Sequence, residues 1–190
     1  TVASQDHALA MATSAKAIGV QSVGIGSYSN ASADSSVALG QEAKAGGSTL
    51  NDKGKFSGTA AVAVGYQANA SAANTVATGK SAAASVDNAV AVGVQSNASA
   101  RSATALGGYS AASAERATAV GAASKATGTA SFAGGTSANA AGVNSVAVGG
   151  SMEPTEAAQA VGNNSIAVGS KSNAQQASDV AVGHGAKANG

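Results

Sequence analysis

Few side chains in this sequence could do chemistry, and their spacing keeps them apart. His7 and His184 are the only histidines, and they lie near opposite ends of the chain. Neither has a second imidazole nearby for a proton relay or a metal pair. Cys is absent, which removes thiol nucleophiles, thiolate ligands and disulfides. The acids Asp6, Asp34, Glu42, Asp52, Asp87, Glu115, Glu153, Glu156 and Asp179 are scattered and read as solvated charges. No HExxH helix, phosphate loop or calcium nonapeptide occurs. Catalysis, a cofactor and a metal are therefore not expected. The residues suited to contact rather than reaction are Tyr28, Tyr66 and Tyr109, with Lys53, Lys55 and Phe56 in a charged break. Tyr is a frequent contact residue in binding surfaces. These six form the candidate ligand-facing surface.

The elements that would carry them repeat. The motif Ser145-Val146-Ala147-Val148-Gly149 recurs about twelve times. With its first large residue as position zero, the copies start at Leu9, Val23, Val37, Val62, Val76, Val90, Thr104, Thr118, Phe132, Val146, Ile166 and Val180. Nine of the eleven intervals are 14 residues, and the other two are 25 and 20. A fixed period over nearly the whole chain predicts a stack of thin layers, each touching only its neighbours. Composition agrees. Charged residues are 10% and aromatics 3%, too little bulk to fill the centre of an ordinary globule. The regular placing of Val and Gly argues against disorder, which requires no register. A net charge of +1 gives no electrostatic case for nucleic acid or an anionic membrane. The repeat begins by Leu9 and still runs at the last residue, so a segment of a longer protein is expected.

Within one copy, positions 0, +1 and +2 are large, small and large, the period of a strand. Position +3 is Gly in eleven copies, where the backbone must turn or pack tightly. Positions +4 to +8 form a second short strand, with Ala or Ser at +6 and Ala at +8 in eleven copies, the exceptions being Met152 and Pro154 in one copy. Fourteen residues cannot hold a helix and two strands, but they hold one turn of a narrow coil with two. Stacked coils give two parallel sheets, with strands about 4.8 Å apart. The expected fold is all-β, a parallel solenoid of 14-residue coils forming a single domain over residues 1–190.

Facing is assigned by size. With 0, +2, +6 and +8 inside, large side chains on strand one meet small ones on strand two. None of these positions is charged. Phe132 and Gly134 then exchange volume within one copy, and Thr78, Thr104 and Thr118 place hydroxyls in the inner column. This leaves a dry ribbon outside: Ala10, Gly24, Ala38, Ala63, Ala77, Ala91, Ala105, Ala119, Ala133, Ala147, Ala167 and Ala181, flanked at −1 by Ala, Ser or Thr in eleven copies and by Asp179 in the other. Such a ribbon calls for a partner, and these residues are the predicted subunit interface. The inverted assignment puts 0 and +2 at the interface and +1 inside. The size argument prefers the first.

The repeat breaks twice. One insertion spans 46–60 and contains Asn51-Asp52-Lys53-Gly54-Lys55-Phe56. The other spans 155–164, after Pro154, the only proline. Both read as surface insertions.

The segments Ser36-Val37-Ala38-Leu39-Gly40, Asn144-Ser145-Val146-Ala147-Val148-Gly149 and Asn164-Ser165-Ile166-Ala167-Val168-Gly169 resemble the N-S-V-A-I-G-x-x-S/A-x-A repeat. That repeat belongs to the head domains of YadA-like trimeric autotransporter adhesins, and the chain is similar to Burkholderia-type heads. The resemblance implies a left-handed β-roll and a homotrimer. It implies display on the outer membrane of a Gram-negative bacterium, with stalk and anchor outside this sequence. It also implies non-enzymatic adhesion to host cells or extracellular matrix proteins, as a virulence factor exported by type V secretion. The competing reading is a purely structural or ice-binding β-solenoid. The outward +7 column mixes Lys, Asn and Ala, which is a poor match to the regular Thr array that ice binding needs.

Overall fold

A computed structural model describes residues 1–47 and 59–190. Among them, twelve three-residue strands alternate with thirteen two-residue strands, and a single 3-10 turn spans Pro154–Glu156. The three-residue strands occupy 0 to +2 and the two-residue strands +7 and +8. The chain divides into two compact units, Thr1–Gln95 and Ser96–Gly190. Both are parallel β-solenoids built from the same coil.

In the first unit, three-residue strands run from Leu9–Met11 to Val90–Val92 and pair in parallel, with Val62, Val76 and Val90 in one column. In the second, the column Thr104, Thr118, Phe132, Val146, Ile166 and Val180 is equally in register. Two-residue strands form the opposite wall, as in Lys16, Asn30, Lys44 and Asn69. The first insertion leaves the ladder intact, since Val37 pairs directly with Val62. Asn51, Asp52, Lys53, Gly54, Lys55 and Phe56 lie outside the described residues.

Each coil turns twice, and the two turns are alike. The backbone adopts left-handed dihedrals at +5 and again at +12, as at Gln67 and Asn74 (φ 55° and 56°). Each left-handed residue aims its N–H at the preceding coil. Ser81 donates to the carbonyl of Tyr66 (2.8 Å) and Asn88 to that of Ala73 (2.9 Å). This conformation carries a steric cost in any residue with a Cβ, least in Asn and Asp. Asn74, Asn88, Asn144 and Asn164 fit that preference at +12.

The glycine at +3 is required on two grounds. Its φ is strongly positive, +129° at Gly79 and +128° at Gly121. A Cβ on Gly79 would also stand 2.6 Å from the carbonyl oxygen of Gly93 in the next coil. Glycine therefore stacks on glycine.

The core reverses the size-based facing of strand one. Position +1 points inward. Ala38, Ala63, Ala77, Ala91, Ala105, Ala119, Ala133, Ala147 and Ala167 have no exposed surface, and Ala181 has 2%. Gly24 is buried and Ala10 half-buried. Position −1 also points inward, at Ser22, Ser36, Ala61, Thr75, Ala89, Ala103, Ala117, Ser131, Ser145 and Ser165. Positions +6 and +8 are inside, as expected, and +7 outside. Positions 0 and +2 face outward and are half-buried or exposed. The interior is thus Ala, Ser, Thr and Gly, apart from the half-buried Asp179 at −1 in the last coil.

The reason is thickness. Turns this short hold the two walls too close for two Val side chains. At Gly24 even a methyl would lie 2.4 Å from the carbonyl oxygen of Lys16 on the facing wall. Many buried hydroxyls find partners locally, since a polar group left alone inside is costly, although those of Ser29, Ser131 and Ser145 have none. The hydroxyls of Ser22, Ser36, Thr75 and Ser165 donate to the carbonyl three residues back at 2.5–2.7 Å. Ser110, Ser124 and Ser172 do the same in the other turn.

The second break lies earlier in the coil than the sequence suggests. Gln159 pairs with Asn139, and Ala160 with Ala140. Ala158 donates to the carbonyl of Gly149 (2.9 Å), as a +6 residue does to its +3 glycine. The six extra residues therefore fall in the +3 to +6 turn, around 151–156, and residues 161–164 form an ordinary connector. Met152 and Pro154, apparent exceptions at +6 and +8, belong to this turn. Ala158 and Ala160 fill the core in their place.

Candidate functional site

Two outer surfaces result, and they differ in chemistry. The three-residue strands expose the 0 and +2 columns: Val, Leu, Ile and Met, with Thr78, Thr104, Thr118, Phe132 and Gly134. No charged residue stands in either column. Thr78, Thr104 and Thr118 are half-buried there and belong to no inner column. Phe132 and Gly134 do exchange volume, but on this outer face. A Cβ on Gly134 would meet Cε1 of Phe132 at 2.8 Å, so the ring lies across the glycine. Because +1 is enclosed, it has no surface to offer a partner. The uncharged outer face of strand one is the 0/+2 ridge.

The two-residue strands expose +7, a column of Lys and amides interrupted by Ala83 and Ala111. Neighbouring amides link across coils, with Asn139 Nδ2 donating to Gln159 Oε1 at 2.9 Å. Similar amide pairs join the left-handed turns, Asn74 to Asn88 (3.3 Å) and Asn144 to Asn164 (3.1 Å). This wall is wet and hydrogen-bonding.

Tyr28, Tyr66 and Tyr109 are exposed, at 61%, 41% and 63%. Tyr28 and Tyr66 lie two coils apart in the first unit, and Tyr109 lies in the second. Lys53, Lys55 and Phe56 fall outside the described residues. His7 sits in the first unit and His184 in the second. Among the described residues, no group of three His, Asp or Glu side chains gathers. No described helix is long and apolar enough to cross a membrane.

Some residues read as solvated charges do structural work. Asp34 Oδ1 accepts the backbone N–H of Val20 in the preceding coil (2.9 Å), and Asp87 Oδ1 accepts that of Ala73 (3.1 Å). Asn163 does the same for Val143 (3.0 Å). All three stand three residues before a position zero, and that shared offset is the signal that scattered acids concealed.

Each unit is thus a repetitive scaffold with an enclosed Ala core, one dry ridge and one polar wall. The family model for the YadA head domain repeat (2 copies) matches residues 17–43, 57–82, 84–110, 112–138, 135–151, 156–172 and 160–186. These matches span most of the chain, which belongs to the YadA head domain family and is an adhesin-type repetitive domain. A comparison with curated proteins finds no significant match.

Proposed function

We propose that this domain is the adhesive head of a surface-displayed trimer, with the 0/+2 ridges of three chains packed against one another. The ridge carries the proposal. It is long, lacks charge and exposes Val, Leu and Ile in register. An open apolar surface of this extent marks an interface in soluble proteins. A homomeric partner suits it, because cyclic assembly buries the same strip on every copy. The +7 walls then face outward and meet the ligand.

On this reading the head sits outside a Gram-negative cell and binds host cells or matrix proteins without catalysis. Contacts repeated along the stack and over three chains add by avidity, so no single contact needs high affinity. Sedimentation equilibrium is the deciding measurement. The expected mass is near three times 17.6 kDa. Val146→Asp places a carboxylate on the ridge and is expected to release monomers that keep their β-sheet circular dichroism. A stable wild-type monomer, or a Val146→Asp chain that remains fully assembled, overturns the proposed interface.

A further inference from the structure

The 150–157 turn adds a wall to the face of two-residue strands, where regular coils of the first unit carry smaller clefts beside Lys16, Tyr28 and Asn30 and beside Lys44 and Asn69. Its 3-10 segment carries Pro154 out over the wall of two-residue strands. A cleft of about 450 Å³ opens beside it, lined by Lys125, Thr127, Ser137, Asn139, Pro154 and Gln159, with Ala123 and Ala141. That volume lies within the range of small-molecule sites.

The cleft wall is held by directed contacts. Gln159 Nε2 donates to the carbonyl of Pro154 (3.0 Å), while its Oε1 accepts from Asn139. Glu156 pairs with Lys171 of the next coil at 2.8 Å. Ser170 Oγ donates to the carbonyl of Gly150 (2.8 Å). Both ends of the turn are thus tied down. Ser137, at a position exposed in many other coils, is 9% exposed here.

We infer that this cleft binds an anionic sugar unit, carboxylated or sulfated. The lining selects that chemistry. Lys125 is its one charged group, and no carboxylate lines it. Among the described residues, Lys125 makes no ion pair. Asn139, Ser137 and Thr127 offer amide and hydroxyl groups, which suit a ligand rich in hydroxyls. Ala123, Ala141 and the Pro154 ring give a small apolar floor and wall for the C–H face of a pyranose. No large apolar side chain lines the cleft, so it lacks the deep pocket that anchors an aromatic of a protein partner. The ammonium of Lys125 meets the anion, and the Asn139 amide bonds the ring hydroxyls. The inference deepens the adhesin reading by naming a ligand class, but binding in this cleft does not require assembly.

The test is titration of the 190-residue chain with three probes: an N-acetylneuraminyl-lactose, a sulfated uronate disaccharide from heparin, and lactose. Amide NMR shifts at Lys125, Asn139 and Gln159 report binding. One or both anionic probes are expected to move these signals, with lactose at least about tenfold weaker, the loss of one charge-assisted contact. The carboxylated and sulfated arms separate the two anion sources. Lys125→Gln is expected to weaken the anionic probe about tenfold. Deleting residues 151–156 restores a 14-residue interval between Val146 and the next position zero, so the ladder persists while the wall is removed. Binding is expected to vanish in that variant. If neither anionic probe shifts these residues, if lactose binds equally well, or if the deletion binds unchanged, the inference fails. Sedimentation of the same samples separates this from failure of the trimer: a monomer that binds the sugar sinks only the assembly.

Discussion

The two faces of the three-residue strand invert the usual relation between size and burial. The smaller residue is inside: Ala147 has no exposed surface, while its neighbours Val146 and Val148 look outward. In most strands the large apolar residue seeks the core because it removes the most area from water. Here the chain has too few residues per coil to separate the walls, so the core admits only methyls and hydroxyls. The Val residues lose their intramolecular home and become a surface. The contrast teaches that a narrow solenoid exports its hydrophobicity. Its interior sets the fold, and its exterior carries the apolar side chains.

The sharpest way to break that contrast is to place the same kind of charge one residue apart. Ala147→Glu puts a carboxylate inside a dry coil with no cation to meet it. An unpaired buried charge costs about 4 kcal/mol or more. The second unit is expected to lose its cooperative thermal transition even in isolated chains. Val146→Asp, by contrast, leaves the monomer folded. Circular dichroism melting of both variants checks this, and an Ala147→Glu chain that melts like wild type would mean that +1 is not the interior.

Much of this was legible in the sequence, and the part that was not has one cause. The period, the two strands, the turn glycine and the inward Ala at +6 and +8 follow from spacing, which dihedral preference and strand geometry decide. Facing on strand one does not. A pattern of large, small, large is symmetric between its faces, and the size rule chose the wrong one because coil thickness is not written in any single residue. The −1 column held the missing clue. Ser22, Ser36, Thr75, Ser145 and Ser165 share the face of +1, and together these make a strip as small as +6 and +8 on the opposite wall. Two small strips facing each other imply a thin core. The 150–157 turn was misplaced for a different reason. Met152 and Pro154 sit at the right offset to be counted as defective core residues, and only the pairing of Gln159 with Asn139 shows that the register resumes six residues later.

A smaller effect separates the two turns of the coil. Both pass through a left-handed residue, but the +3 turn stacks Gly on Gly at strongly positive φ in nearly every coil, whereas the other turn does so only at Gly128, Gly142 and Gly162 and without a positive φ. In Gly121→Ala the new methyl would meet the backbone of Gly135 at 2.6 Å, at a φ of +128°. Backbone strain of this kind costs on the order of 3 kcal/mol. Ala130, left-handed at +12 with φ 54°, already bears a side chain, and Ala130→Gly is expected to change stability by less than about 1 kcal/mol. Urea denaturation of the two variants measures the difference. Equal midpoints would show that the glycine column is not sterically required.

The finest contrast lies within the inner column itself. Ser165 and Ser145 both stand at −1 and both are fully buried. The hydroxyl of Ser165 donates to the carbonyl of Gly162 at 2.6 Å, whereas that of Ser145 has no protein partner. Removing a satisfied hydrogen bond costs about 1 kcal/mol, while removing an unsatisfied buried hydroxyl relieves a desolvation penalty. Ser165→Ala is therefore expected to lower stability by about 1 kcal/mol, and Ser145→Ala to leave it unchanged or raise it. Ala89, Ala103 and Ala117 occupy the same column, so neither substitution disturbs packing. Paired urea denaturation curves decide it. If both variants lose the same stability, the hydroxyls act through volume alone, and local hydrogen bonding is not what favours Ser at these positions.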